Sequence, residues 1–423
     1  MADRLLSTSS AQVSGHRFLK RRVEHALVLG DARMIHDPLA RRYRAALSGM
    51  ILALLIGAGA GLMAVIRPAI NPGEAPILRS DSGALFVRAG ERIHPVANLA
   101  TARLIAGSPE DPARISDSVL LREPLGPPLG IPDAPGVFAA GAVDELHWAA
   151  CAEPAGVISV RARAEVRDLG AKEAVLVAPA GEGAGEGAAD GAEWMLTGEG
   201  RRLLPPAESA EGRAVRRALR IDARTPRWTP PEAFLSATQE LPPMSLPPGT
   251  LLRTEDGGWW LEHEGTVRFL SGLQAGILSD AGWPIRDVGR SYPAQQPDAT
   301  GPGIDLPEAA PAWVDPAADT LCATGEAGIG RPVGAEGERG VELAGDSLAG
   351  RYAGPREGAV AVKSGGGLHM VSEWGTVHRV ADAEAAAALG IDGKQARSAP
   401  WSVLRLLPQG AVLGRQHIPG VEP

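Results

Sequence analysis

The sequence predicts a membrane-anchored α+β protein: one N-terminal transmembrane helix, then a large exported domain of four small strand-hairpin/helix repeats around a central mixed β domain. Three observations predict it. An uncharged run of 22 residues, Ala45 to Ile66, lies between Arg44 and Arg67; a hairpin-then-helix plan recurs four times after it; and 53 Gly and 36 Pro in 423 residues disfavour long helices elsewhere. Aromatic residues make up only 4% of the chain, so several modest units are expected instead of one large core.

The first 44 residues carry nine Lys or Arg against four acids. After a Ser14 cap, Phe18, Leu19, Val23, Ala26 and Leu27 fall near one helical face, Lys20, Arg21, Arg22 and Glu24 fill the rest, and Gly30 ends the helix. Phe18, Leu19, Val23 and Leu27 form a candidate docking face for cytoplasmic domains of other proteins; the competing use is a basic helix resting on anionic membrane lipid.

At a rise of about 1.5 Å per residue the apolar run spans the ~30 Å hydrocarbon core. The excess of cations before it places residues 1–44 in the cytoplasm, 45–67 across the membrane and 68–423 outside. A cleaved signal peptide would have an apolar region of about 7–15 residues and a small-residue cleavage site. This run is longer and ends in Arg67-Pro68, so a retained single-pass anchor is expected. Gly57, Gly59 and Gly61 would let a partner helix approach closely.

Each repeat reads as two short apolar strands around a Gly turn, then a polar step into a helical stretch. The first has Leu85-Phe86-Val87, Gly90 and Ile93-His94-Pro95-Val96, then Asn98 to Ile105; the second has Trp194-Met195-Leu196, Gly200 and Leu203-Leu204-Pro205, with a helix ending near Leu219. Trp259-Trp260-Leu261 and Gly265-Thr266-Val267-Arg268-Phe269-Leu270 precede Ala275 to Leu278 in the third; Leu368-His369-Met370 and Gly375-Thr376-Val377-His378-Arg379-Val380 precede Ala385 to Leu389 in the fourth. The expected repeats cover about 77–121, 190–236, 256–290 and 366–400, with the central domain from about 122–180 and 291–360. Val157 to Val160 and Ala174 to Val177 read as strands of that centre. Pro124 to Pro135, Pro226 to Pro248 and Pro293 to Pro316 read as stiff extended joints, and Gly181 to Gly191 as a low-complexity surface loop.

Beyond Arg67 the acids outnumber the bases by 14, which argues against nucleic acid as a partner. Cys151 and Cys322, an even pair in an exported domain, read as a disulfide. The nine His show no HExxH or paired metal spacing, and His94, His263, His369 and His378 sit in or beside hairpin strands as structural residues. His147-Trp148 is expected to pack around the disulfide. No catalytic residue, cofactor site or metal site is nominated. A cell-wall anchor that stacks sugars on Trp194, Trp259 and Trp260 is the alternative non-enzymatic reading.

The pattern Phe18-Leu19-Lys20-Arg21-Arg22-Val23, Ala26-Leu27, Gly30-Asp31, Asp37-Pro38-Leu39, the apolar helix and Arg67-Pro68 resembles EccB, a membrane component of the actinobacterial type VII (ESX) secretion system. His94-Pro95-Val96, Asn98-Leu99, Ala102-Arg103-Leu104-Ile105 and Gly107, then Gly130-Ile131-Pro132 and Ala134-Pro135, resemble that family's most recognisable stretch. The resemblance implies an elongated periplasmic domain of four repeats around a centre, and a structural subunit of an inner-membrane export complex. Implied partners are EccC, EccD and EccE proteins, a mycosin protease as neighbour, and further copies of itself. An ATPase assignment has been attached to the family, and an ATPase accessory is a further alternative. A Walker A loop, however, needs GxxxxGK[ST] to cradle phosphates. Gly358 to Lys363-Ser364 lacks the Gly before Lys, and Gly393-Lys394 is followed by Gln395.

Overall fold

The computed structural model describes residues 9–33, 38–66, 70–139, 146–154, 156–178, 192–300, 303–334, 340–345 and 347–420. The expected loop Gly181 to Gly191 and the Arg67-Pro68 end of the span lie outside these. The chain forms two units, residues 1–70 and 71–423.

The first unit is two helices. Helix α1 (Ser10–Leu29) is capped by Ser9, not by the expected Ser14, because Ser9 and Gln12 form a reciprocal capping box; Gly30 ends it in the left-handed conformation at φ 71°. Helix α2 (Pro38–Ile66) is longer than the uncharged run, with Pro38 suited to the first helical position, where no N–H is needed. Its segment Tyr43–Met63 is the one helix among the described residues long and apolar enough to cross a membrane.

In the second unit four sheets share one plan: three antiparallel strands, a helix packed on one face, then a fourth strand parallel to the first. Strands β1 (Ile77–Ser80), β2 (Leu85–Ala89) and β3 (Arg92–Val96) lead to α3 (Leu99–Ala106), β4 (Ala113–Ile115) and α4 (Asp117–Leu120), in sheet order β3-β2-β1-β4. Central strands β5 (Ala149–Ala152), β6 (Ile158–Arg161) and β7 (Val166–Asp168) follow. The second sheet has β8 (Glu173–Val177), β9 (Trp194–Leu196), β10 (Arg201–Leu203), α5 (Ala210–Ala218), β11 (Arg227–Trp228) and α6 (Glu232–Leu235). The third has β12 (Thr250–Thr254), β13 (Trp259–His263), β14 (Thr266–Leu270), α7 (Gly272–Asp280) and β15 (Ile285–Val288). Strand β16 (Ala312–Trp313) adds to β8. Central strands β17 (Leu321–Ala323), β18 (Ile329–Pro332), β19 (Val341–Glu342) and β20 (Arg351–Ala353) come next. The last sheet has β21 (Val360–Ser364), β22 (Gly367–Val371), β23 (Val377–Arg379), α8 (Ala383–Leu389), β24 (Arg397–Ser398) and α9 (Trp401–Leu404).

Asn98, Ser209, Ser271 and Asp382 cap the four main helices by accepting a backbone N–H three residues on, which gives the polar step in each repeat its physical meaning. The helices then pack in pairs. α3 and α8 share one apolar cluster, with Ala100, Ala102, Ala385, Ala386 and Ala388 in it, and α5 and α7 share another around Val215, Leu219, Ile277 and Leu278. The first repeat is thus joined to the fourth, and the second to the third.

Two expectations are corrected here. The second, third and fourth repeats begin one strand earlier than their expected bounds, at β8, β12 and β21, and Ala174 to Val177 lies in the second repeat's sheet, not the central one. The central sheet is seven strands, β19-β20-β6-β5-β17-β18-β7, drawn from 149–168 and 321–353. The proline-rich stretches are also more than joints. A strap returns along the free edge of each third strand: the backbone N–H groups of Gly126, Leu241, Ala299 and Gly410 donate to the carbonyls of Ile93, Arg201, Val267 and Val377, each at 2.9 Å. Such an edge strand suits Pro, which has no N–H to offer the ladder.

A side chain from the next residue of each third strand fastens the strap. His94 Nδ1 lies 2.9 Å from the Pro127 carbonyl and His378 Nδ1 lies 3.0 Å from that of Ala411. Arg202 and Arg268 donate to Pro242 and Ala299 at 3.1 and 3.4 Å. The two imidazoles sit where a side chain on the strap would go: a methyl on Gly126 would fall 2.2 Å from His94, and one on Gly410 would fall 2.3 Å from His378. Gly126→Ala and Gly410→Ala should therefore each expel an imidazole and lose its bond, costing about 1–3 kcal/mol. Thermal melting of the two variants checks this; an unchanged midpoint in both would contradict the latch.

Candidate assembly site

Three features of the described residues can hold other molecules or hold the domain rigid for them: the face of α1, the cross-linked central sheet, and the aromatic residues left at sheet surfaces.

On α1, Phe18, Leu19, Val23 and Leu27 are all exposed, Leu27 at 81%. At 3.6 residues per turn they cover about half the circumference. Lys20 and Glu24 pair across one turn at 3.9 Å in full solvent, a contact of little energetic weight. His25 is the one buried residue on the helix, its Nδ1 3.3 Å from the Asp31 carbonyl, which folds the chain back past the Gly30 cap.

In the central sheet Cys151 on β5 stands directly opposite Cys322 on β17, and the two form a disulfide across 171 residues of sequence. Both are fully buried, beside Ala149 and Ala164. Trp148 does not pack around this bond as expected. Strand alternation turns it to the opposite face, where it stacks on Tyr352 with ring centroids 6.5 Å apart. Burial pushes the Tyr352 phenol far above its ordinary range. Arg331 of β18 ties the second repeat to this sheet, donating to Glu173 and to Asp319 at 3.0 Å each. The Arg331 hydrogen bond, with one from Gly170, holds the Glu173 carboxyl below the usual range.

The first and fourth repeats meet at Arg103. Its guanidinium reaches the Leu389 carbonyl at 3.3 Å and the Asp111 carboxylate at 3.0 Å, and lies 4.7 Å from the Phe138 ring centroid. An open cavity of about 400 Å³ adjoins this clamp.

The candidate sugar-stacking residues separate. Trp194 lies under Arg201 and packs on the central core, and Trp259 lies under Arg253 against the α7 cluster. Trp260, half-buried like the other two, meets Phe269 edge to face. The exposed Trp374 and Trp401 were not singled out from the sequence, where a Trp at a strand turn or short helix carries no distinguishing pattern.

The positions closest to a phosphate loop have other structure. Lys363 and Ser364 end strand β21, paired with Leu368 and Gly367, and Lys394 sits in a turn whose backbone N–H is held by Asp392. Among the described residues there is no group of three or more His, Cys, Asp or Glu that could hold a metal. His369 is buried beside Trp401, and burial together with Arg379 holds its imidazole below the ordinary range.

Residues 6–250 and 349–418 match the family described as type VII secretion system ESX-1, transport TM domain B. A Mycobacterium tuberculosis protein named ESX-1 secretion system ATPase EccB1 is 28% identical over 96% of this chain and 93% of its own length. Identity to ESX-3 secretion system ATPase EccB3 of Mycolicibacterium smegmatis is 41%, over 33% of this chain and 27% of that protein. In three dimensions the chain is similar to one in an intact ESX-5 inner membrane complex, with a TM-score of 0.67 and 27% identity over 100% of this chain and 97% of that one. The fold is also that of an EccB3 dimer from the ESX-3 core complex, with a TM-score of 0.66 and 22% identity over 81% and 99% of the two chains.

Proposed function

The chain belongs to the EccB family of type VII secretion membrane components, and from that premise we propose that it is a structural subunit of an ESX-type inner-membrane secretion complex. Its role is to brace or assemble the export channel from the periplasmic side. The observation that carries this reading is the joint one of an apolar helix, the one among the described residues long enough to cross a membrane, and a sheet-rich body, in a chain whose fold is similar to that of a chain in an ESX-5 inner membrane complex.

The positive-inside charge of the first 44 residues supports a cytoplasmic tail, a single crossing and an extracytoplasmic body. EccC-, EccD- and EccE-like proteins are the partners of this reading, with a mycosin protease as periplasmic neighbour and further copies of the chain within the assembly. The buried disulfide supports an oxidising location for the body. The name ATPase borne by relatives is not carried to this chain, since its two lysine candidates lie in a strand and an Asx turn. EccC is the motor in this reading.

The exposed face of α1 is the docking surface for the cytoplasmic domains. Deleting residues 1–30 should leave a stable membrane protein that runs alone on a native gel while the full chain runs in a high-mass complex. Normal incorporation of the truncated chain would rule out tail docking.

A further inference from the structure

Among the described residues of the second unit, Leu121 is the most exposed large apolar side chain, at 81%, and Leu125 is 50% exposed. Leu121 is the C-cap of α4, and Leu125 lies on the strap bridged to Ile93 of β3. The repeat plan shows what these positions hold elsewhere. The residue that ends the corresponding short helix is Ser236 after α6 and Arg405 after α9. The strap residue bridged to the third strand is Glu240 in the second repeat, Asp298 in the third and Gln409 in the fourth. One exposed leucine is ordinary, but two that stand where the sister repeats are polar require something apolar to cover them.

The chain itself limits what can do so. Helix α2 ends at Ile66, and Gly73 is fastened to the first repeat, its carbonyl accepting from Arg88 Nη2 at 3.2 Å. The other terminal nitrogen of Arg88 meets Glu123, which lies between Leu121 and Leu125 in sequence, at 3.6 Å. Ala75, two residues past Gly73, packs against the cluster that holds Leu120. Seven residue steps from Ile66 to Gly73 span at most about 25 Å even when fully extended. The two leucines therefore flank the residue to which the tether is tied.

We propose that this loop of the first repeat, Leu121 to Leu125, rests on the bilayer that α2 crosses, with both leucine side chains in the interfacial layer. The inference rests on the membrane crossing in the reading above and gives the body a second point of contact with lipid, which limits how freely the first repeat turns about its tether. The charged groups near the loop are the Arg88–Glu123 pair, the exposed acids Glu74, Glu91 and Asp117, and the exposed bases Arg92 and Arg122. These nearly cancel, so the loop offers apolar contact and no particular attraction to anionic headgroups. Pro124, exposed between the leucines, stiffens the turn that presents them.

The full chain reconstituted in phosphatidylcholine vesicles tests this. Both natural cysteines are in the disulfide, so Ser118→Cys, exposed on α4 and leaving both leucines in place, takes a single nitrobenzoxadiazole label. The expected result is blue-shifted emission and quenching by lipids spin-labelled near the headgroup. Both effects should be lost in the Leu121→Glu/Leu125→Glu double variant, whose melting midpoint in detergent should stay that of the parent because both side chains are exposed. The same label on Leu348→Cys, a 53% exposed leucine before β20, should emit as in water. A water-like, unquenched label on Ser118→Cys would overturn the contact, and so would quenching that survives the double variant. A blue shift seen in native membranes but absent in lipid alone would overturn it in favour of a protein partner. A chain that fails to float with the vesicles after an alkaline wash would overturn the membrane crossing as well, which separates that failure from the others.

Discussion

Replacing Cys151 and Cys322 together with serine should destabilise the second unit by on the order of 4 kcal/mol. The bond spans 171 residues, and the second and third repeats lie wholly within that loop, so its loss frees the largest closed loop in the chain and releases β5 from β17 in the unfolded state. Both sulfurs are buried, so reductant should leave the folded wild type unaltered until it unfolds. Urea denaturation of the full chain in detergent reads the effect: a large drop in midpoint for the double variant, matched by the wild type unfolded with reductant present. An equal midpoint with and without the bond would show that the sheet does not depend on it.

The second large effect is expected at the joint between repeats. Leu278 of α7 is fully buried in the cluster shared with Val215 and Leu219 of α5, where no solvent can fill a hole. Leu278→Ala should cost about 3–4 kcal/mol, the transfer of the lost methyl groups plus the cavity left behind. Leu121→Ala removes the same atoms at an exposed site and should cost less than about 0.5 kcal/mol. Melting of the two variants separates these cases. Similar midpoints would mean that α5 and α7 are not packed as described.

Much of this architecture was legible in the sequence because it rests on local rules. Hairpins announce themselves by Gly turns between alternating apolar residues, and the helices by their Asn, Ser and Asp caps. The first strand of the second, third and fourth repeats was not legible as such. Glu173–Val177 is buried on both faces, Ala174 and Leu176 toward α5 and Val175 and Val177 toward the central core, and a continuous apolar run does not say which sheet it joins. Strand β24, Arg397–Ser398, has no apolar residue at all, and its pairing with β21 is fixed only by the helix between them. The straps read from the sequence as stiff joints, because Pro reports backbone stiffness and says nothing of what the strand lies beside. Of the sites, the cysteine pair and the tail face came from residue type and spacing. The exposure of Phe269 did not, since an aromatic residue in a strand is ordinarily core.

The repeat plan also explains how a chain so poor in aromatic residues holds a large body together. Small units gain cores by pairing helix to helix, and alanine-rich helices such as α8 bring their partners close. Two pairs and a cross-linked centre make a rigid brace, which suits a subunit that positions others.

The most direct measurement is purification of a C-terminally tagged copy from its native membrane in mild detergent, with mass spectrometry of what remains bound. The account predicts recovery at high apparent mass with EccC-, EccD- and EccE-like proteins. Recovery of the protein alone, or with cell-wall fragments only, would contradict a subunit of the secretion complex and favour an independent anchor.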